Sequence, residues 1–464
     1  MQKNIILSIL CLAITFSLFA QNKKKKKNEP PTTNINYVEY DLDNGLHVIL
    51  HKDNTTPIVA VTVLYHVGSK NENPERTGFA HFFEHLLFEG SENIARGQFD
   101  KLVSGAGGSL NANTSTDRTF YHVVLPSNQL ELGLYLESER MLHAKIEEIG
   151  VETQREVVKE EKRNRVDNQP YMSFHQEMFQ RAFAGTSYEW TPIGSMEHLN
   201  QATLSEFMDF YRTFYVPNNA TLSIAGDIDI EETKKLVAQY FNEVPKGTQE
   251  IPRPEFTVNG GQKEITDVVY DNIQLPAIFQ GYRMPAQGTE DYYALDMLNN
   301  ILSGGESSRL NKELVDRQEK ALQVASFPYA MENGGLFIML GITNMGVSIE
   351  DLESSINEEI EKVKTELVSE QEFIKVKNQI ENDFISENST VAGIAENLAN
   401  YHVYFGDANL INTEIERYNK VTREDLKRVA NKYLVKENRV TLKYLPKSAQ
   451  AQPEQSEVNK EVKQ

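Results

Sequence analysis

The chain has a single cysteine, Cys11, in 464 residues, and that residue lies inside its one long apolar run. A mature chain starting after that run has no thiol, so its fold depends on no disulfide. Positive charge is also in deficit: 47 lysines and arginines face 67 aspartates and glutamates, a formal net charge of −20. Nucleic-acid binding needs a basic face, and this balance excludes it. The acidic surface serves solubility and, at low salt, attracts basic peptides. With 40% hydrophobic and 25% charged residues, the chain can bury a sizeable core and does not read as disordered.

The apolar run has a recognisable grammar. Lys3 gives a positive start, Ile5 to Phe19 is almost unbroken in its apolar character, and Leu18 and Ala20 suit a cleavage site. Residues 1–20 therefore read as a secretory signal. The run is short for a membrane span; an uncleaved anchor is the alternative. Leu10 before Cys11 is not the small residue that lipid attachment prefers, which weighs against a lipoprotein. Export to a Gram-negative periplasm or beyond follows, with no stable membrane insertion after cleavage. Lys23 to Lys27 and the Pro30-Pro31 that follow make residues 21–35 a solvated linker. Residues 447–464 read as a frayed tail.

Between these ends the chain repeats itself. Tyr37 to Leu42 and Leu46 to Leu50 alternate as two strands about Asn44-Gly45, and Val59 to Val67 makes a third. Asn200-Gln201-Ala202-Thr203 leads into a helix with Phe207, Phe210 and Phe214, then Asn219 and a strand. Asn419-Lys420-Val421-Thr422 leads into Leu426, Val429 and Tyr433, then Asn438 and a strand. The offset is constant, 419 − 200 = 219 and 438 − 219 = 219. Thr203 with Glu206 and Thr422 with Asp425 both suit a helix N-terminal capping box. The expectation is an α+β chain of two homologous domains, each an antiparallel-rich sheet covered by helices. Residues 36–244 form the first domain and 262–446 the second. Residues 245–261, with Pro245, Pro252, Pro254 and Gly260-Gly261, make the linker.

The sharpest motif is His81-Phe82-Phe83-Glu84-His85. On a helix, residues 81 and 85 lie one turn apart, so both imidazoles reach one ion. Glu84 lies three residues from His81 on the same side, able to hold a water without ligating. This inverts the commoner His-Glu-x-x-His order and defines a separate zinc class. A catalytic zinc takes three protein ligands and leaves a fourth position for water. A third ligand must come from elsewhere. The acidic stretch Glu152 to Arg163 offers carboxylates, although such runs commonly form only solvated i,i+4 ion pairs.

The stretch Gly78 to Gly90 closely resembles the pitrilysin family, which includes mitochondrial processing peptidase and insulin-degrading enzyme. Arg155-Glu156-Val157-Val158-x-x-Glu161 resembles the segment carrying that family's third ligand, at the family's spacing (161 − 85 = 76). Asn111 to Tyr121 resembles its substrate-binding edge strand. The resemblance spans roughly Asn36 to Pro446. It implies one Zn2+ per chain on His81, His85 and Glu161, and Glu84 as general base. It also implies an extended peptide pairing with Asn111, Ala112, Asn113 and Thr114.

The chain departs from the family twice. Where many relatives carry a supporting glutamate seven residues before the ligand, this chain has Gln154, whose amide can still bond a ligand but adds no charge. Single-chain active members also supply an arginine and a tyrosine from the C-terminal half; those positions fall here on Val315 and Leu322, which donate nothing to an oxyanion. Arg317 is two residues out of register. Leu295-Asp296-Met297-Leu298-Asn299 stands opposite the metal motif and has no ligand pair. The departures imply a division of labour, in which a homologous partner supplies the arginine–tyrosine pair. A self-sufficient homodimeric peptidase and a non-catalytic scaffold subunit are the other readings.

Overall fold

A computed structural model describes residues 34–256 and 263–450. The expected signal, most of the lysine-rich linker, the Gly260-Gly261 stretch and most of the C-terminal tail lie outside the described residues.

Eleven strands build two sheets among the described residues. The first contains β1 (Tyr37–Asp41), β2 (His47–Lys52), β3 (Ile58–Tyr65), β4 (Ser109–Thr114), β5 (Thr119–Pro126) and β6 (Ala220–Gly226), in the order β1-β2-β6-β3-β5-β4. The second contains β7 (Ile265–Asp271), β8 (Ala277–Met284), β9 (Ala321–Met331), β10 (Gly334–Thr343) and β11 (Arg439–Pro446), in the order β7-β11-β8-β10-β9. Setting β1 aside, the two orders are one topology used twice. In both, the strand nearest the end of its half pairs parallel to the first (β2 with β6, β7 with β11) and all other pairs are antiparallel. The offset recurs in space: β8 starts 277 − 58 = 219 residues after β3, and β11 starts 439 − 220 = 219 after β6.

Local chemistry fixes the repeated helix–strand unit. Thr203 accepts from the Glu206 backbone while the Glu206 side chain returns to Thr203, and Thr422 and Asp425 do the same. Each box satisfies helix N-terminal donors that would otherwise be orphaned. Asn219 and Asn438, both buried, tie the unit shut by donating to the carbonyls of Phe214 and Tyr433.

The central strands are covered on both faces, which is why β6 and β8 are buried along their whole lengths. One face of each sheet carries helices from its own half. The other face is covered by exchange. Helix Phe174–Ala182 lays Met178 and Phe179 on the second sheet beside Phe279, Ile338 and Tyr444. Helix Val391–Phe405 returns the arrangement, packing Ala399 and Val403 against Leu64 and Phe120 of the first sheet. Arg118 anchors this helix through Glu396, at 2.5 Å, and Asn400. The two halves thus interleave. The connecting chain is pinned as well: the Asn71 side chain donates to Pro252 O (3.0 Å) and that of Asn333 to Pro254 O (3.0 Å).

Candidate metal centre and active site

Helix Phe79–Leu86 carries the inverted motif and has two faces of opposite chemistry. Phe79, Phe82 and Phe83 are buried; the first two stack on Phe207 with centroids 4.6 and 4.7 Å apart. Burying each such ring contributes about 1.5–3 kcal/mol. Tyr121 and Tyr215 donate to the carbonyls of Phe83 (2.8 Å) and Ala80 (3.4 Å) from beneath. The helix start is also held. Glu72, 5% exposed, accepts from the backbone N–H groups of Gly78 and Ala80, each at 2.8 Å, and from Trp190 Nε1 at 3.0 Å. Gly78 has φ of +98°, and a side chain at Gly194 would place its Cβ 2.3 Å from Gly78 N. Two glycines therefore let the entry loop meet the helix start at backbone distance.

The opposite face points His81, Glu84 and His85 towards helix Glu148–Lys162. The structure brings one ligand atom each of His81, His85 and Glu161 within 4.8 Å of one another. Glu161 Oε2 lies 3.5 Å from His81 Nε2 and 3.1 Å from His85 Nε2, while its Oε1 pairs with Arg165 Nη1 at 2.6 Å. Burial and the neighbouring imidazole of His85 hold His81 in its neutral form, the form that ligates. The neighbouring His85 imidazole, 3.1 Å away, lowers the Glu161 carboxyl against the effect of burial, keeping it ionised.

Glu161 Oε2 is buried and, among the described residues, has no hydrogen bond of proper geometry, although it faces two imidazole nitrogens. A buried carboxylate oxygen without a donor is costly. A cation among the three groups removes that cost, and two imidazoles with one carboxylate are the donor set of a catalytic zinc site. The residues fit the ion.

Burial raises the Glu84 carboxyl, and the Thr114 side chain and the His85 charge pull it back. A carboxylate raised towards neutrality accepts and returns protons more readily. Thr114 ends β4, which among the described residues pairs with β5 alone and so forms the open edge of the first sheet. Asn111, Ala112, Asn113 and Thr114 all lie on this edge, with alternate residues half-buried and exposed. An open cavity beside it is lined by Phe88, Glu89, Arg96, Phe99, Asn111 and Gln154.

Gln154 is placed differently from expectation. Its amide donates to Glu89, which also pairs with Arg96, and it bonds none of the three candidate ligands. The side chain of Glu89 is only 9% exposed, so the Gln154 donor serves that buried carboxylate instead. Val315 sits in the π-helical turn Asn311–Arg317, packed on the second core, and Leu322 is 60% exposed on β9. Arg317 is committed to Glu313, with Nε at 2.7 Å.

Sequence reasoning missed Arg165, Glu72 and the buried pair Arg140–Glu137. Arg140 is 1% exposed, donates to Leu87 O at 2.9 Å behind the metal helix, and lies over the rings of Phe88 and Tyr121 at 4.4 Å. A basic residue four places after Glu161 was the one available signal for Arg165. The i,i+3 spacing of Glu137 and Arg140 was a local signal for their pairing but not for its burial, and Glu72 had none, because its partners are brought close only by folding.

The model of the insulinase family, peptidase family M16, matches residues 47–191, and the model described as the peptidase M16 inactive domain matches 201–380. A zinc protease, PqqE, of Helicobacter pylori is 32% identical over 429 residues, covering 92% of this chain and 94% of its own. The crystal structure of a protease from Helicobacter pylori superimposes with a TM-score of 0.84 at 31% identity, covering 89% of this chain and all of that one. A mitochondrial-processing peptidase β subunit of Arabidopsis thaliana is 23% identical over 406 residues, covering 85% and 75%. With the metal-ligating cluster and the doubled sheet topology, these matches establish that the chain belongs to the insulinase, or M16, family of zinc peptidases, the pitrilysin type.

Proposed function

We propose that the chain is a zinc-dependent endopeptidase that cuts short or unfolded peptides after export to the periplasm. The observation that carries this reading is the donorless Glu161 Oε2, set between two imidazole nitrogens with Glu84 alongside. His81, His85 and Glu161 would hold the ion. When bound, zinc supplies Lewis acidity towards a scissile carbonyl and a nucleophilic water. Glu84 takes the proton as that water attacks and delivers it to the leaving amine. An extended peptide adds to the free edge of β4 through main-chain hydrogen bonds, a mode that gives affinity with little sequence selectivity. Arg165 holds Glu161 from the solvent side, and Glu72 holds the start of the metal helix.

The second half of this reading concerns what is missing. Val315 and Leu322 provide no oxyanion donor, and Arg317 is paired with Glu313. Losing one such donor typically costs about 2.7–4 kcal/mol. The reading therefore includes a homologous partner chain that supplies the arginine–tyrosine pair, in line with the similarity to a relative named as a subunit. Among the described residues no helix is long and apolar enough to cross a membrane, and the apolar N-terminal run supports export.

Peptide cleavage on a mixed unfolded pool tests this. Glu84→Gln should retain zinc and lose turnover. The wild-type chain alone should be slow, and a sibling chain with the missing pair should restore activity. Substantial turnover by Glu84→Gln would remove the assigned base, and full activity of the lone chain would remove the partner.

A further inference from the structure

A second cluster of ligating side chains lies on the first sheet and shares no residue with the active site. Strands β1 and β2 pair with Asp41 opposite His47 and Glu39 opposite Ile49. Side chains alternate along a strand, so Glu39 and Asp41 project to the face that His47 occupies. His402 arrives from helix Val391–Phe405, 402 − 47 = 355 residues later. Its ring lies flat on that of His47, with centroids 3.5 Å apart and planes inclined by 6°. One ligand atom each from Glu39, His47 and His402 falls within 4.8 Å of the others.

The hydrogen-bonding pattern leaves this cluster short of a cation. His47 Nδ1 lies 2.7 Å from Asp41 Oδ1, so in neutral His47 that nitrogen carries the proton and Nε2 the lone pair. Nε2 is buried, has no hydrogen-bond partner among the described residues, and lies 3.5 Å from Glu39 Oε2. A lone pair thus faces a carboxylate. A proton between them serves poorly, because a charge-assisted N–H···O bond closes to about 2.7–2.9 Å. It would also set an imidazolium against the stacked His402 ring.

We propose that Glu39, His47 and His402 bind a divalent transition-metal ion that fastens helix Val391–Phe405 to the β1–β2 pair. Asp41 then plays the outer carboxylate of a carboxylate–histidine–metal arrangement, fixing the tautomer that ligates. Two imidazoles and a carboxylate suit zinc, nickel or copper better than magnesium or calcium. Glu39 is the mobile ligand, with its side chain 44% exposed, and it closes the site by swinging in as the rings splay. The ion would join parts of the chain that are far apart in sequence, so it stabilises the fold and takes no part in hydrolysis.

Zinc stoichiometry of the full-length chain, measured by mass spectrometry after equilibration and desalting, tests this. The wild type should hold two ions per chain. His402→Gln and Glu39→Gln should each hold one and keep peptidase activity. His81→Ala/His85→Ala should also hold one, and zinc should raise its Tm; adding His402→Gln should abolish both. If the catalytic reading fails alone, the wild type holds one ion, and His402→Gln removes it. A wild type with one ion that survives His402→Gln overturns the second site, as does a second ion indifferent to Glu39 and His402.

Discussion

Lys70 Nζ lies 3.0 Å from Asp117 Oδ1, and the two side chains are 3% and 5% exposed. The same ammonium bonds Glu332 of the second half, which His66 Nε2 also meets at 2.9 Å. Asp117 in turn accepts from Tyr188 Oη (2.8 Å) and from Glu332 N (3.0 Å). A buried polar network therefore joins residues from both halves, and each charge in it has a partner. Removing one partner from such a group costs more than the pair itself contributes.

That network predicts acid sensitivity. Burial opposes ionisation of Glu332, but His66 and Lys70 outweigh it and hold its carboxyl at about 2. Its unfolded value is about 4.3. A carboxyl with a lowered folded value contributes stability above the unfolded value, and that contribution is lost as pH falls through the folded one. Denaturation midpoints measured between pH 5 and pH 2 should fall more steeply for the wild type than for Glu332→Gln. Parallel curves would show that the pairing is energetically idle.

Replacing Glu72 should loosen the metal helix. Glu72→Ala leaves the N–H groups of Gly78 and Ala80 without their acceptor, while the indole of Trp190 keeps Ser69 O at 2.9 Å. Each buried donor stranded in this way costs about 1–3 kcal/mol. The expected result is a stability loss of several kcal/mol by chemical denaturation, with weaker zinc retention. Glu72→Gln, which keeps one acceptor oxygen, should lose less.

Arg140 and Glu137 make a contrasting case, because both are fully buried and their guanidinium–carboxylate contact closes at 3.1 Å. Arg140→Leu should destabilise by about 3–5 kcal/mol, since the buried Glu137 carboxyl is left without its partner. Arg140→Met with Glu137→Leu should recover much of the loss. A double variant as unstable as the single one would assign the cost to Leu87 O and the aromatic rings around Arg140 instead.

Much of this architecture was legible in the sequence because it is written locally. The capping threonines, the Asn219 and Asn438 latches and the constant offset of 219 lie within short windows, and each has a direct physical meaning. The inverted motif was legible for the same reason, as one helical turn places both imidazoles. Glu161 was harder. Glu152, Glu156, Glu160 and Glu161 are chemically alike, and resemblance alone singled one out. The fold separates them: Glu156 pairs with Lys159 and Glu160 with Arg163, whereas Glu161 turns inward. The exchange of helices between halves, Glu72 beneath its helix and the meeting of His47 with His402 had no local signature. Each depends on contacts between residues distant in sequence.

The Gln154 position yields the last prediction, and it runs against the simple expectation that restoring a glutamate would improve the site. Gln154 donates to Glu89, whose carboxylate is nearly buried and takes its other support from Arg96. Gln154→Glu removes that donor and sets a second carboxylate against the first. Two carboxylates in one site cannot both ionise freely, so one is raised above its unfolded value. A carboxyl raised in the folded state contributes stability that is present below the unfolded value and lost as pH rises through the folded one. Gln154→Glu should therefore match the wild type near pH 4 and fall behind it by about 1–2 kcal/mol at pH 8, since a tenfold change in proton affinity is worth roughly 1.4 kcal/mol. Adding Glu89→Gln should restore the balance by giving the new carboxylate a donor. Thermal denaturation of the three proteins at both pH values checks this. A Gln154→Glu protein as stable as the wild type at pH 8 would mean that Arg96 alone can hold two negative charges.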